Sequence, residues 1–315
     1  MHRLFAGLKF FGPQVCNLPA PARYFRMMKL AVLLLVASWP VSAQVEDNRV
    51  VTRRFAIGGT PEVVVSVVNG GIRVTAHSGS EVILNARVHY DAPDSAGVTE
   101  LQQQVRLETE QSGNNIWIGI EGDNWNRNSG RQRELGWRGK TPPERKEGRN
   151  WHFRHDIELQ VPKTAHLKLS TVNNGGISVE GVAGEFSYNN VNGGIEVRDA
   201  NGFGRAHTVN GPVTLTFQRN PSGPLSIKTI NGRVELRMRP GLNADFKMKT
   251  FNGQIFTDFP LTELAPVAPT PVVMKDGLKR IWSSKGFTRA RAGSGGPEIE
   301  IDGFNSRIEI IEQKN

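Results

Sequence analysis

Cysteine is almost absent from this chain, and that absence removes several functions at once. The 315 residues hold a single cysteine, Cys16, in a segment that reads as a removable leader. The remainder then has no disulfide framework, no thiol nucleophile and no cysteine-held metal. Long apolar runs are missing too. The stretch "LAVLLLVASWP" from Leu30 is about half the length needed to cross a bilayer. Neither a Gly-x-Ser-x-Gly elbow nor a Gly-x-x-x-x-Gly-Lys phosphate loop occurs, so two common hydrolase and nucleotide-binding signatures are absent.

That short apolar run has its own meaning. Met27-Met28-Lys29 precedes it, and Val41-Ser42-Ala43 supplies small residues ahead of Gln44, which is the pattern of a secretory signal. Residues 1–43 are accordingly read as a leader, with Met1, Met27 or Met28 as the start, and the mature chain as exported to the periplasm or cell surface without a transmembrane segment. The leader carries five basic and no acidic residues, so the formal +9 of the whole chain falls to +4 over the remaining 272 residues. So small an excess does not point to nucleic acid.

What the chain has in abundance is Asn-Gly. Aligning on the apolar residue after each pair gives Ile177, Ile195, Val213, Val234 and Ile255, spaced 18, 18, 21 and 21 apart. The pairs are Asn174-Gly175 (with one extra Asn before it), Asn192-Gly193, Asn210-Gly211, Asn231-Gly232 and Asn252-Gly253. An early copy, "VVNGGIRV", lies at Val67–Val74 and a degenerate late one, "GFNSRIEI", at Gly303–Ile310. A fixed period near 20 is the signature of a stacked array. Segments such as Leu225-x-Ile227-x-Thr229 before a pair and Val234-x-Leu236 after it alternate, one face in and one face out. Asn-Gly suits the positive φ of a tight reversal. Each pair could close a hairpin of an up-and-down meander or form one stacked corner of a β-solenoid. Near-constant length and identical corner chemistry favour the solenoid, because its corners lie on one another.

The expected fold is therefore all-β, a solenoid of Asn-Gly-cornered repeats. Residues 44–121 form a less regular β lead-in, with a short helix over Ser95–Gln104 capped by Asp94 or Ser95. Residues 122–150 are a loop insertion without periodicity, and 151–315 continue the same domain.

The stretch "HDIELQVPKTAHLKLSTVNNGGISVEGVAGEFSYNNVNGGIEV" resembles the bacterial putative-adhesin family, domains of unknown function built from β-strand repeats. The matching features are Val161-Pro162, then Leu167, Leu169, Thr171 and Val172, followed by further Asn-Gly repeats. The resemblance spans roughly residues 50–312. It implies a single-stranded, right-handed β-helix of toast-rack type, as in cell-envelope stress proteins, and brings no catalytic residues with it.

Candidate chemistry is sparse. Glu196 and Glu235 share an outward column two repeats apart, near 10 Å by strand spacing, and nothing in the sequence suggests the enclosing pocket a catalytic pair needs. His152 and His155 point to opposite faces of a strand, which separates them as metal ligands, and both read as exposed. Asn190, Thr208, Thr229 and Thr250, two residues before each corner Asn, read as corner packing. Binding character is concentrated in the insertion. Trp125 and Trp137 lie among Arg131, Arg133 and Arg138, and exposed Trp with Arg is enriched at recognition surfaces. Trp117 and Trp151, at its flanks, read as core.

The expected function is an exported, envelope-associated binding or structural module with no cofactor and no catalysis, whose partner is an envelope polysaccharide or another envelope protein. A polysaccharide-active enzyme and an envelope-stress sensory domain are the alternatives. Sequencing the amino terminus of the exported protein should find Gln44; finding Met1 or Met28 there would refute the leader.

Overall fold

The computed structural model describes residues 44–121, 150–265 and 286–314, and two short strands between the last two spans. Residues 1–43 lie outside the described residues, and Ser42–Asn315 form one compact unit. Strands β1 (Val45–Ala56), β2 (Glu62–Ser66), β3 (Ile72–His77) and β4 (Glu81–Ala92) precede helix α1 (Ser95–Gln104). Asp94 caps that helix, its Oδ1 accepting from the Gly97 N–H at 2.7 Å. Then come β5 (Arg106–Ser112), β6 (Asn115–Glu121), β7 (His152–Pro162), β8 (His166–Thr171), β9 (Ile177–Glu180), β10 (Phe186–Asn192), β11 (Ile195–Ala200) and β12 (Gly204–Asn210). They are followed by β13 (Val213–Phe217), β14 (Leu225–Asn231), β15 (Val234–Met238), β16 (Ala244–Thr250), β17 (Ile255–Thr257) and β18 (Leu261–Glu263). Strands β19 (Val272–Val273) and β20 (Lys279–Arg280) pair only with each other, and β21 (Thr288–Ala292), β22 (Glu298–Asn305) and β23 (Ile308–Glu312) end the chain.

The molecule is all-β with this one short helix, and its strands form two large mixed sheets. Sheet A runs β1-β4-β7-β3-β9-β11-β13-β15-β23-β17, and sheet B runs β18-β21-β16-β22-β14-β12-β10-β8-β2-β6-β5. Both sheets are parallel through their middles and antiparallel at ends, where β1, β4, β5, β18 and β21 add on. Alternating residues of both sheets meet in one continuous apolar core. Leu169, Tyr188, Ala206, Ile227, Ile301 and Met248 line up from sheet B, and Ile177, Ile195, Val213, Val234 and Ile308 from sheet A. The largest side chain of the sheet B row, Tyr188, stands beside the smallest, Ala206, so the ring finds room without pushing the sheets apart.

The two strands flanking each Asn-Gly lie in different sheets, so no pair closes a hairpin and the meander is excluded. Each pair is a crossing from sheet B to sheet A, and successive crossings stack. Asn192 donates to Asn173 at 2.8 Å, Asn210 to Asn192 at 3.0 Å, Asn231 to Asn210 at 2.9 Å, Asn305 to Asn231 at 2.8 Å, and Asn252 to Asn305 at 3.0 Å. At the doubled corner the amide in this row is Asn173. Asn174 is the additional residue, at φ 60°.

The corner glycines Gly175, Gly193, Gly211, Gly232 and Gly253 do not adopt positive φ, contrary to the tight-reversal expectation. They are glycine because the neighbouring crossing lies against their α-carbons. A Cβ on Gly232 would stand 1.9 Å from the Gly211 carbonyl oxygen, and one on Gly193 2.2 Å from that of Gly175. Those same carbonyls are satisfied from inside. Asn190 donates to Gly175 O at 3.1 Å, Thr208 to Gly193 O at 2.9 Å and Thr229 to Gly211 O at 3.2 Å, so these residues two before each Asn are buried donors. In the degenerate copy the two roles are exchanged. Gly303 stands in the threonine column and Ser306 in the glycine column, and a Cβ on Gly303 would meet Ser306 Cβ at 2.5 Å. One side chain fills the space the other vacates.

Levels do not follow chain order. Strands β22 and β23, the last in the sequence, lie between β14/β15 and β16/β17. At the other end β2 and β3 lie between β6/β7 and β8/β9. Both outer levels are thus closed over a strand pair from the nearer chain end.

Gly232→Ala places a methyl group on a backbone oxygen and should cost about 1–3 kcal/mol in urea unfolding. Arg205→Thr, on the exposed outer face of β12, should cost less than about 0.5 kcal/mol. Equal costs would remove close approach as the reason for the glycine.

Candidate functional site

Strand alternation dictates what each crossing shows to solvent. The residue two before Asn points in, so the residue just before Asn points out. Along the stack this outward column reads Val191, Val209, Ile230, Phe304 and Phe251. Val191 is 37% exposed, Ile230 and Phe304 48%, and Phe251 69%. The rings of Phe304 and Phe251 stack with centroids 4.9 Å apart. Among the described residues seven large apolar side chains are exposed; four are in this column, and Phe256 lies just past the last corner. The other two, Val45 and Val50, are on β1.

Polar columns flank the apolar one. On the sheet B side stand Asn189, His207, Lys228, Asp302 and Lys249. On the sheet A side, past the asparagines, stand Arg233 and Arg307, with the Arg307 guanidinium 4.5 Å from the centre of the Phe256 ring. Arg233 bridges Glu235 at 2.7 Å and also Glu309, Arg237 meets Glu235 at 2.5 Å, and Arg307 meets Glu309 at 2.5 Å. The outcome is an edge with an apolar column, an amide row and polar margins that carry Lys228, Lys249, Arg233 and Arg307.

The carboxylates do not assemble an acid catalyst. Glu196, Thr214 and Glu235 share a column as expected, but Glu309 adjoins Glu235, because the last repeat sits beside β15. Burial pushes the Glu309 carboxyl up, yet hydrogen bonds from Arg307 and Arg233 outweigh it and hold it below the usual value. Glu300 is likewise held low, its burial opposed by Lys247 and Lys228. Asp245 is lowered mainly by its hydrogen bond with Arg291. A glycosidase acid needs the opposite displacement. Among the described residues no group of three or more His, Cys, Asp or Glu could hold a metal ion.

His152 is exposed, 3.6 Å from Asp91, but His155 is fully buried, which corrects the reading of both as surface residues. The inward phase of β7, Ile157, Leu159 and Val161, extends back to His155. Its ring lies edge-on to Tyr90 at 5.7 Å, with Nε2 3.4 Å from the Tyr90 hydroxyl. Burial drives the His155 pKa down to about 4, and burial raises Tyr90 to about 12.

Trp117 is buried and Trp151 packs partly against the core. Trp125, Trp137, Arg131, Arg133 and Arg138 lie outside the described residues. They fall in the sequence between β6 of sheet B and β7 of sheet A. A cleft of about 350 Å³ near α1, lined in part by Val51, Val88 and Leu107, has Arg49 and Arg106 beside it, both committed to acids, Asp47 and Glu108. No described helix is long and apolar enough to cross a membrane.

No family model matches the chain, and no curated protein matches it. Among solved structures it is similar to a putative cell adhesion protein from Clostridium sporogenes ATCC 15579, 8% identical over 85% of this chain and 100% of that one, at a TM-score of 0.41. A putative adhesin from Bacteroides fragilis NCTC 9343 is 8% identical over 84% and 97%, at 0.27. A putative lipid binding protein from Parabacteroides distasonis ATCC 8503 is 11% identical over 84% and 97%, at 0.22. Two of these names fall in the class that the strand repeats resemble. At such scores and identities the likeness carries no argument, and the reading of function rests on geometry.

Because His155 is neutral in the fold and its pKa is depressed, protonation favours the unfolded chain. Its contribution is intact above about pH 6.5 and is lost as pH falls toward about 4. The slope is at most about 1.4 kcal/mol per pH unit. Urea midpoints measured across that window should fall for the parent and stay flatter for His155→Gln; parallel curves would show that this histidine does not set the acid sensitivity.

Proposed function

We propose that this chain is an exported β-solenoid that works at the cell envelope by surface contact and without catalysis. In this reading residues 1–43 are a leader and 44–315 one continuous domain of a single-stranded, right-handed β-helix. Parallel register between repeats, stacked crossings and the amide row support the solenoid. One observation carries the binding role: in one outward column along the crossings, Val191, Ile230, Phe304 and Phe251 are exposed, Val209 is half-buried, and the neighbouring column is polar. Monomeric soluble proteins seldom leave a contiguous apolar patch uncovered without an interaction to make.

The insertion is a second contact in this reading. Trp125 and Trp137 supply stacking area and Arg131, Arg133 and Arg138 supply charge for an anionic envelope polysaccharide or an envelope protein. Nucleic acid is not the partner, since the margin of positive charge is small.

The test is sedimentation of residues 44–315 with isolated cell envelopes. Saturable binding, lowered by Trp125→Ala/Trp137→Ala with an unchanged thermal midpoint, is the expected result. A chain that stays wholly in the supernatant is not an envelope-binding module. If the double variant binds as well as the parent, or unfolds, the insertion is not a contact surface.

A further inference from the structure

We propose that the Asn-Gly edge at the carboxyl-terminal half of the stack inserts into an anionic lipid leaflet, with Ile230, Phe304 and Phe251 as the inserted crest. This deepens the surface-contact reading above and rests on it.

The crest has the dimensions of an interfacial element. From Val191 to Phe251 there are four strand spacings, about 19 Å in all. Exposure is greatest at Phe251, and Phe256 adds a further ring beside Arg307. An apolar band flanked by Lys and Arg is the arrangement that lies in a headgroup region, with rings at the acyl boundary and cations reaching back to phosphate.

Shape and charge select the occupant. The edge is where the chain crosses between sheets, so it protrudes. A peptide or a small ligand is held by a concavity, whereas a protruding crest fits something that deforms around it. A second copy meets it poorly, because a two-fold contact sets the same margins against each other. Those margins carry Lys228 and Lys249 on one side and Arg233 and Arg307 on the other, with Asp302, Glu235 and Glu309 among them. Glu235 and Glu309 are themselves buried beneath arginines that remain about half exposed. The groups nearest an approaching surface are therefore mostly cationic. Each is attracted to an anionic leaflet and screened by salt.

Residues 44–315 should co-sediment with vesicles of phosphatidylglycerol and phosphatidylcholine, bind pure phosphatidylcholine weakly, and release as salt is raised. Phe251→Ser/Phe304→Ser should lower partition at least about tenfold, on the scale of two partly buried aromatic side chains. Val50→Ser, an exposed apolar site on β1, should leave partition unchanged. A Phe304→Trp variant supplies a readout that does not depend on loss of binding. Its emission, taken as the difference from the parent chain with its own tryptophans, should shift to the blue on anionic vesicles and be quenched by brominated acyl chains. Vesicle binding indifferent to lipid charge, or to Phe251 and Phe304, overturns the inference, as does a difference emission between the Phe304→Trp variant and the parent that vesicles leave unchanged. Envelope binding without vesicle binding overturns the lipid partner alone and leaves surface contact standing. Self-association abolished by the Phe double variant, with no vesicle binding, overturns it in favour of contact between copies.

Discussion

Stacked crossings place the backbone of one repeat directly against the α-carbons of the next, and most of this molecule follows from that proximity. A carbonyl oxygen sits where any Cβ at Gly193, Gly211, Gly232 or Gly253 would have to go. The glycine is therefore a steric requirement between repeats, not a conformational one within a turn. The same carbonyl would be left dry by such packing, and the hydroxyl or amide two residues before each Asn supplies the missing donor. Outside it, the asparagines pass side-chain hydrogen bonds from one crossing to the next. Glycine, inner donor and outer amide are three solutions to one contact. The exchange of Gly303 and Ser306 shows the constraint acting on the sum of two positions rather than on either alone.

The surface follows from the same geometry. With the inner donor fixed two residues before Asn, alternation leaves one residue between them that can only face outward. Nothing in the stacking requires that position to be apolar, as the polar column beside it shows. Valine, isoleucine and phenylalanine there leave carbon exposed in a column whose neighbour is polar.

The sequence makes the repeats, their alternation and the Asp94-capped helix legible, because period and local hydrogen-bonding chemistry are one-dimensional signals. The order of the levels is not legible. Identical corners can stack on one another in any order, and nothing in "GFNSRIEI" states that it belongs between Asn231 and Asn252. The neighbouring carboxylates Glu235 and Glu309 are hidden for the same reason. His155 had a usable signal, since extending the inward phase of Ile157, Leu159 and Val161 by one step reaches it. The crest had one too. Val191, Val209, Ile230 and Phe251 recur at a fixed place beside each Asn, yet an apolar residue in a strand reads as core until its neighbours on both sides are known to point inward.

The position of β22 and β23 has a consequence for how the chain comes to exist. Strands β14/β15 and β16/β17 are consecutive in the sequence yet share no ladder, since β22 and β23, which come later in the chain, lie between them. A ribosome releases the chain from its amino terminus, so a growing chain can stack its middle repeats while the level above β14/β15 is still missing. The two sheets become continuous at this level only once β22 and β23 have been made. A chain stopped before β22 would lack an interior layer and leave one edge each of β14 and β15 unpaired.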